Sequence, residues 1–144
     1  MEMDSLNWSI ITALQENARA SFADIGRKVG LSAPAVAERI QKMEDAAVIK
    51  GYHVALDYEK IGYALTAIIT FTCHPEKTSA FLKLMGKMQE VLECYRVTGH
   101  YGLFMKVAIK TPGHLEEVID KFNEYGETTT FIVLSRPLEY RVLK

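Results

Sequence analysis

The first fifty residues alternate apolar and polar positions with the 3.6-residue period of amphipathic helices. A first helix is expected to end near Asn17, and either Asp4 or Ser5 could cap its start. Its apolar positions are Leu6, Ile10, Ile11 and Leu14. The pattern predicts a short helix that buries one face.

A second helix is expected to begin at Ser21 and to end at Gly30. Asp24 follows Ser21 by three residues, which resembles a capping box with Asp in place of Glu. Gly30 tolerates the left-handed backbone that a tight helix exit requires. The predicted apolar face consists of Phe22, Ile25 and Val29.

A third helix is expected to start at Ser32, with Pro34 in its first turn, and to end near Ala46. Its inward stripe is Val36, Ile40 and Met43, and its outward face carries Ala35, Glu38, Arg39 and Lys42. Two helices joined by a turn that contains glycine predict a helix-turn-helix.

The period of the apolar positions changes after Val48. Ile49, Tyr52, Val54 and Leu56 predict a short strand or ribbon around Gly51, followed by a connector that ends at residue 62. We therefore expect an N-terminal domain over residues 1–62 and a second domain over residues 63–144.

The second domain alternates between strand and helix patterns. Strands are expected at 64–73, 92–98, 103–110 and 128–135, with a short fifth at 138–143. Pro75 and Pro112 open the two intervening helices, and Gly126 is expected to end the second. The order β-α-β-β-α-β is that of a ferredoxin-like domain. The predicted fold class is α+β, with a three-helix winged helix-turn-helix followed by a ferredoxin-like domain.

Composition and charge limit the function. The chain has 144 residues, of which 49% are hydrophobic and 24% charged, and its formal net charge is −1. Residues 1–62 hold seven Lys and Arg against nine Asp and Glu, so a nucleic-acid function cannot rest on bulk charge. With no apolar run of membrane length and no signal-like N-terminus, the sequence predicts a soluble cytoplasmic protein.

The cysteines and histidines show no spacing typical of a metal site. Cys73 and Cys94 lie far apart in sequence, and the histidines are scattered. The sequence therefore predicts no metal and no cofactor.

The third helix is the candidate for base recognition in a major groove, because small residues near its start allow close approach to DNA. Basic residues around it could contact phosphates. The candidate DNA-binding residues are Ser21, Arg27, Lys28, Ser32, Ala33, Pro34, Ala35, Glu38, Arg39 and Lys42. A plain three-helix core with solvated charges explains the same pattern.

The N-terminal half resembles the DNA-binding half of the Lrp/AsnC (leucine-responsive/asparagine, feast/famine) regulators. The similarity extends over nearly the whole chain. It is carried by residues 17–32, Val36, Arg39, Ile40, Glu44, 48–52, Leu56, Asp57, Ile61, Gly62 and 94–99.

The resemblance implies a DNA-binding transcriptional regulator that forms homodimers and assembles into octamers or similar even-numbered rings. It also implies an amino-acid effector held in a cleft between dimers, to which the loop after the second strand contributes. The candidate effector-binding residues are Thr98, Gly99, His100, Tyr101, Gly102, Thr129 and Thr130. An exposed loop histidine and a threonine run that simply favours a strand are the alternatives.

Several positions depart from the family pattern. His100 and Gly102 stand where the family commonly has acidic residues, which leaves the effector open. Asn7 replaces another acidic residue, and Ala47 replaces a helix-terminating glycine.

The sequence predicts a sequence-specific, homo-oligomeric regulator rather than an enzyme. One alternative is a winged-helix module that binds protein. Another is a small-molecule enzyme on the second domain. Its candidate residues would be Glu93, Arg96, His100 and Tyr101, but Glu93 and Arg96 are expected on opposite faces of a strand.

Overall fold

The computed structural model describes residues 2–143 and divides the chain into two compact units. The first unit comprises the described parts of Met1–Ala55 and of Leu138–Lys144, and the second is Leu56–Pro137. Compared with the boundary expected after residue 62, the connector joins the second unit and the C-terminal segment joins the first. Within residues 2–143, no helix is both long enough and apolar enough to cross a membrane.

Three helices form the first unit, as predicted. They are α1 (Ser5–Glu16), α2 (Phe22–Val29) and α3 (Ala33–Asp45). Their common core consists of Ile10, Ala13, Ile25, Val36, Ile40 and Met43. Phe22 is an exception to the predicted apolar face, because 46% of it is exposed.

Side chains cap all three helices. Asp4 Oδ1 accepts a hydrogen bond from the Asn7 backbone N–H at 2.7 Å, which identifies Asp4 as the first cap. Ser21 Oγ accepts from the Asp24 N–H at 3.1 Å, and Ser32 Oγ lies 3.4 Å from the Ala35 nitrogen. The predicted helix starts are therefore confirmed, since each cap satisfies a backbone donor that the helix leaves free.

The ribbon predicted around Gly51 is wrong. Residues 48–56 form no strand, and no described strand pairs with them. Among the apolar positions that suggested the ribbon, Val54 is 82% and Leu56 50% exposed, whereas Ile49 packs against the core of the three helices. Without a partner strand to satisfy its backbone, an apolar alternation alone does not make a ribbon.

The second unit contains a four-stranded antiparallel sheet with the order β2-β3-β1-β4. Its strands are β1 (Leu65–Cys73), β2 (Val91–Arg96), β3 (Leu103–Ile109) and β4 (Gly126–Ile132). A one-turn 3-10 helix at Pro75–Lys77 leads into α4 (Thr78–Met85), and α5 spans Pro112–Asn123. This arrangement confirms the predicted ferredoxin-like order.

The two helices cover one face of this sheet. Phe71 of β1 stacks on Phe81 of α4 with ring centroids 4.1 Å apart, and Phe81 meets the edge of Phe122 of α5 at 5.2 Å. The opposite face, which we call the open sheet face, exposes Tyr95, Phe104 and Phe131.

Gly126 does not end α5, as the sequence suggested. The helix ends at Asn123, and Gly126 is the buried first residue of β4. A Cβ at this position would overlap the Thr72 carbonyl oxygen and would approach the Phe71 ring to 2.9 Å. The glycine is therefore required by close packing between strands rather than by a helix exit.

The fifth strand predicted at 138–143 is absent from the structure. The Leu143 backbone instead meets the side chain of Gln15 in α1. Gln15 Nε2 donates to the Leu143 carbonyl, and the Leu143 N–H donates to Gln15 Oε1, both at 3.3 Å. A side-chain amide supplies here the two hydrogen bonds that a neighbouring strand would have supplied.

Candidate nucleic-acid interface and ligand site

A close backbone approach fixes the turn between α2 and α3. A Cβ at Gly26 would overlap the Leu31 carbonyl oxygen, and the Leu31 N–H donates to the Gly26 carbonyl at 2.9 Å. Gly30 takes the left-handed backbone expected of it, with φ at 75°. Sequence reasoning missed Gly26, although a glycine inside a helical pattern can signal such a contact.

The start of α3 presents small side chains. Ser32 and Pro34 are exposed, whereas Ala33 and Ala35 are half-buried. Residues 32–35 all carry short side chains. The four residues therefore form a continuous short-side-chain surface at the helix start, as the sequence predicted for a helix that enters a major groove.

Each basic candidate residue has an acidic partner within the first unit. Arg27 contacts Asp24, and the Lys28–Glu16 separation is 4.0 Å. The two ion pairs on α3 are Lys42–Glu38 at 2.7 Å and Arg39–Asp4 at 2.8 Å. This pairing explains how a helix-turn-helix can carry basic residues on a nearly neutral surface. Exposed ion pairs contribute little net stability, so their cations can exchange a carboxylate for a phosphate.

Arg39 differs from the other basic candidates because it links two helices. Its Nη1 donates to Asp4 Oδ2 and, at 2.9 Å, to Oδ1 of the buried Asn7, and 30% of its side chain is exposed. The structure thereby accounts for the unusual Asn7. The amide accepts from the guanidinium, and Asp4 supplies the negative charge from the preceding cap.

Three of the acidic partners, Asp4, Asp24 and Glu38, have pKa values below their usual range and are ionised at neutral pH. The Asn7 backbone N–H and then Arg39 hold the pKa of Asp4 below its usual value. The Ser21 hydroxyl lowers the pKa of Asp24, and the Lys42 ammonium lowers that of Glu38. The surface around α2 and α3 therefore carries real charges of both signs.

The candidate effector loop connects β2 and β3. Its residues Thr98–Gly102 are exposed, and Gly99 has a φ of 106°. The His100 and Tyr101 rings pack edge to face at 5.0 Å, and Tyr101 lies 6.1 Å from the Phe104 ring. The loop therefore presents two aromatic rings continuous with the open sheet face.

Thr129 and Thr130 do not face the same surface. Thr129 pairs with Thr70 and lies on the open sheet face, whereas Thr130 pairs with Ile69 and lies on the face that the helices cover. Successive residues of a strand alternate between faces. The structure brings Thr129, but not Thr130, onto the surface shared by Phe104 and Tyr101.

A cavity at the opposite end of the sheet was not expected from the sequence. It measures about 430 Å³, and its lining includes Tyr63, Lys110 and the pair Glu90–His114. His114 Nε2 lies 3.0 Å from Glu90 Oε1, and His114 Nδ1 accepts from the Lys110 backbone N–H. Because these residues are distant in sequence, spacing alone gave no signal of the pair.

Two family models cover most of the chain. The AsnC-type helix-turn-helix domain matches residues 3–44, and the Lrp/AsnC ligand binding domain matches residues 66–143. The chain is 36% identical over 133 residues to the HTH-type transcriptional regulator YezC of Bacillus subtilis, covering 92% of this chain and 94% of that protein. It is 32% identical over 142 residues to the regulatory protein AsnC of Escherichia coli, covering 94% and 93%.

Solved structures match nearly the whole chain. B. subtilis LrpC superposes with a TM-score of 0.92 at 27% identity, covering 98% of this chain and 100% of that one. E. coli AsnC gives a TM-score of 0.87 at 28% identity, with 99% of each chain covered. The chain belongs to the Lrp/AsnC family and is a helix-turn-helix transcriptional regulator with a ligand-binding domain.

Proposed function

We propose that this chain acts as a homodimer that reads specific DNA sequences with α3 and responds to a small molecule. Residues 1–62 bind DNA in this proposal, and residues 63–144 bind the effector and hold the assembly together. Its role is regulatory rather than catalytic. The observation that supports it best is the short-side-chain surface at residues 32–35, which follows a turn where the backbones of Gly26 and Leu31 are in close contact.

Phosphate contacts in this proposal come from the exposed cations beside that surface. Arg27 and Lys28 lie in the last turn of α2, and Lys42 lies in the last turn of α3. Ser21, at the start of α2, adds a hydroxyl. Each cation would leave its carboxylate partner for a phosphate, which releases counterions from the duplex and makes binding salt-dependent.

Fluorescence anisotropy with a labelled mixed-sequence duplex tests DNA binding. We expect saturable binding at low salt and a steep loss of affinity as salt rises. The double variant Arg27→Ala/Lys28→Ala should weaken binding and reduce the salt slope by about 1 for each phosphate that the variant no longer neutralises. The matched control Lys83→Ala/Lys87→Ala removes the same charge from the second unit and should leave binding unchanged. Absence of binding at low salt would refute the proposal.

Self-association is assigned to the open sheet face. Its aromatic residues Tyr95, Phe104 and Phe131 are 57%, 36% and 51% exposed, which favours burial against a second copy. A twofold pair would offer two α3 helices, and a spacing of about 34 Å between them would match one turn of DNA. Assembly of such dimers into an octamer or a similar even-numbered ring is the further expectation, to be measured by light scattering.

The effector in this proposal is a small molecule such as an amino acid, bound at residues 98–102 together with Thr129 of the open sheet face. A thermal-shift screen of the twenty amino acids tests it, because a ligand of the native state raises the melting temperature. We expect at least one amino acid to raise it and His100→Ala to reduce the increase. No increase with any of them would exclude an amino-acid effector.

A further inference from the structure

One long polar side chain stands exposed in the first two turns of α3. Every residue of Ala33–Asp45 is described by the structure. Residues 33–37 are Ala, Pro, Ala, Val and Ala, whose side chains cannot form hydrogen bonds. Ser32 precedes them at the cap position outside the helix, where its hydroxyl oxygen accepts from the Ala35 N–H. Glu38 comes next, and 69% of its side chain is exposed.

The two basic residues that follow Glu38 are engaged in different ways. Arg39 is bound to α1 through Asp4 and Asn7, so its guanidinium is held at the side of α3. Lys42 lies one turn further along and donates to Glu38 Oε1 at 2.7 Å. Hydrogen bonds from the first two turns of α3 to base edges therefore depend on Glu38.

The chemistry of Glu38 limits what it can recognise. Because Lys42 lowers its pKa, Glu38 is a carboxylate at neutral pH and acts as an acceptor only. In the major groove, guanine and thymine present acceptors to it, and adenine places an acceptor beside its amino group. Cytosine presents its N4 amino donor alone, which is the group that Glu and Asp recognise.

We propose that Glu38 is a specificity-determining residue that selects cytosine by accepting a hydrogen bond from the N4 amino group. This inference rests on the proposed function, because it requires α3 to enter the major groove. The carboxylate also repels the phosphates of every duplex. Glu38 therefore lowers affinity for DNA in general and restores it where a cytosine lies within reach, which is discrimination by a difference in affinities.

Selection from a pool of random-sequence duplexes tests the proposal, using the wild type, Glu38→Ala and Glu38→Gln. We expect the wild type to enrich a site with one strongly preferred cytosine in each half. Glu38→Ala should lose that preference, lowering discrimination at this base pair about tenfold or more. It should also bind unselected duplexes more tightly. Glu38→Gln should shift the preference towards adenine, whose paired donor and acceptor an amide matches.

Two control variants separate direct recognition from other effects of the carboxylate. Lys42→Met removes the partner of Glu38, and it should weaken binding to all duplexes and leave the cytosine preference intact. Asp45→Asn removes a negative charge from the exposed end of α3, where Asp45 accepts from Gln41 at 2.9 Å. It should change neither the preferred base nor its discrimination.

The outcomes distinguish this inference from the proposed function. If the wild type retains no duplex, the proposed function itself fails. If it enriches a site whose cytosine persists in Glu38→Ala, Glu38 does not select that base. If Lys42→Met abolishes the cytosine preference as completely as Glu38→Ala, the carboxylate acts by anchoring Lys42, and direct recognition is refuted. Thermal unfolding of each variant checks that these exposed substitutions leave the fold intact.

Discussion

Arg39 of α3 and Asp4 at the cap of α1 are joined by a hydrogen bond of 2.8 Å between Nη1 and Oδ2. The same guanidinium nitrogen donates to the buried Asn7. A residue expected to contact DNA therefore also links the helices that present the candidate DNA-binding surface.

We predict that Arg39→Ala destabilises the protein even in the absence of DNA. The substitution leaves the buried Asn7 carbonyl oxygen without its donor, which costs about 1–2 kcal/mol of unfolding free energy. Chemical denaturation monitored by circular dichroism measures the change. Arg27→Ala is the matched control, since it removes an exposed arginine from α2 and should leave the midpoint nearly unchanged. Equal midpoints for the two variants would show that the link between helices contributes nothing.

Ala47, two residues beyond the end of α3, has a left-handed backbone conformation that favours glycine. Its φ is 54°, and the Val48 N–H reaches back to the Met43 carbonyl at 2.9 Å, as in a Schellman helix end. Ala47 therefore adopts the left-handed backbone of this helix end, although a glycine would adopt it without steric cost.

We predict that Ala47→Gly raises the unfolding free energy by about 1 kcal/mol, because it removes the steric cost of a left-handed Cβ. The higher entropy of glycine in the unfolded chain offsets part of the gain. A urea titration measures it. Ala46→Gly, one residue earlier with φ at −84°, should lower stability instead. A loss of stability in Ala47→Gly would contradict the assigned backbone strain.

Much of this fold could be predicted from the sequence because its signals are local. The caps Ser21 and Ser32 and the left-handed Gly30 act within a few residues, and the structure has all three where they were expected. The predicted alternation of the two sheet faces along β3 is also found in the structure, where Met105 and Val107 are buried and Phe104 is exposed.

The features that could not be predicted depend on residues distant in sequence. Nothing near Gly126 reveals that Thr72 and Phe71 exclude a side chain there. The same is true of Gln15 and Leu143, whose hydrogen bonds replace the predicted fifth strand. The residue types at the candidate sites could be predicted from the sequence. Only the tertiary structure shows that Arg39 donates to Asp4 and that Thr129 and Thr130 lie on opposite faces of the sheet.

A tyrosine in the segment after α3 forms a hydrogen bond with that helix, and this contact predicts that the stability of the protein depends on pH. Tyr52 donates its hydroxyl to Glu44 Oε1 at 2.9 Å. Partial burial of the hydroxyl, and then the Glu44 carboxylate, raise the pKa of Tyr52 to about 12. The ordinary tyrosine value in an unfolded chain is about 10.

Because the folded-state pKa is the higher one, the contribution of Tyr52 to stability is complete below about pH 10 and is lost as the pH rises towards 12. We predict that Tyr52→Phe reduces the loss of stability over this interval. In an absorbance titration, the difference between the wild type and Tyr52→Phe should reveal one tyrosine that ionises near pH 12. Ionisation of Tyr52 near pH 10 would contradict the contact with Glu44.

The open sheet face gives the last prediction, which concerns assembly. Phe131 lies on β4 opposite Ile68 of β1 and is 51% exposed. If a second copy covers this face, Phe131→Asp buries an unpaired carboxylate in the interface, and its desolvation opposes association. We expect light scattering to give a dimer or a larger even-numbered assembly for the wild type and a folded monomer for Phe131→Asp. Leu82→Asp introduces the same charge on α4, at a leucine that is 44% exposed, and should leave the assembly intact. If Leu82→Asp rather than Phe131→Asp yields the monomer, the helical face, and not the open sheet face, holds the subunits together.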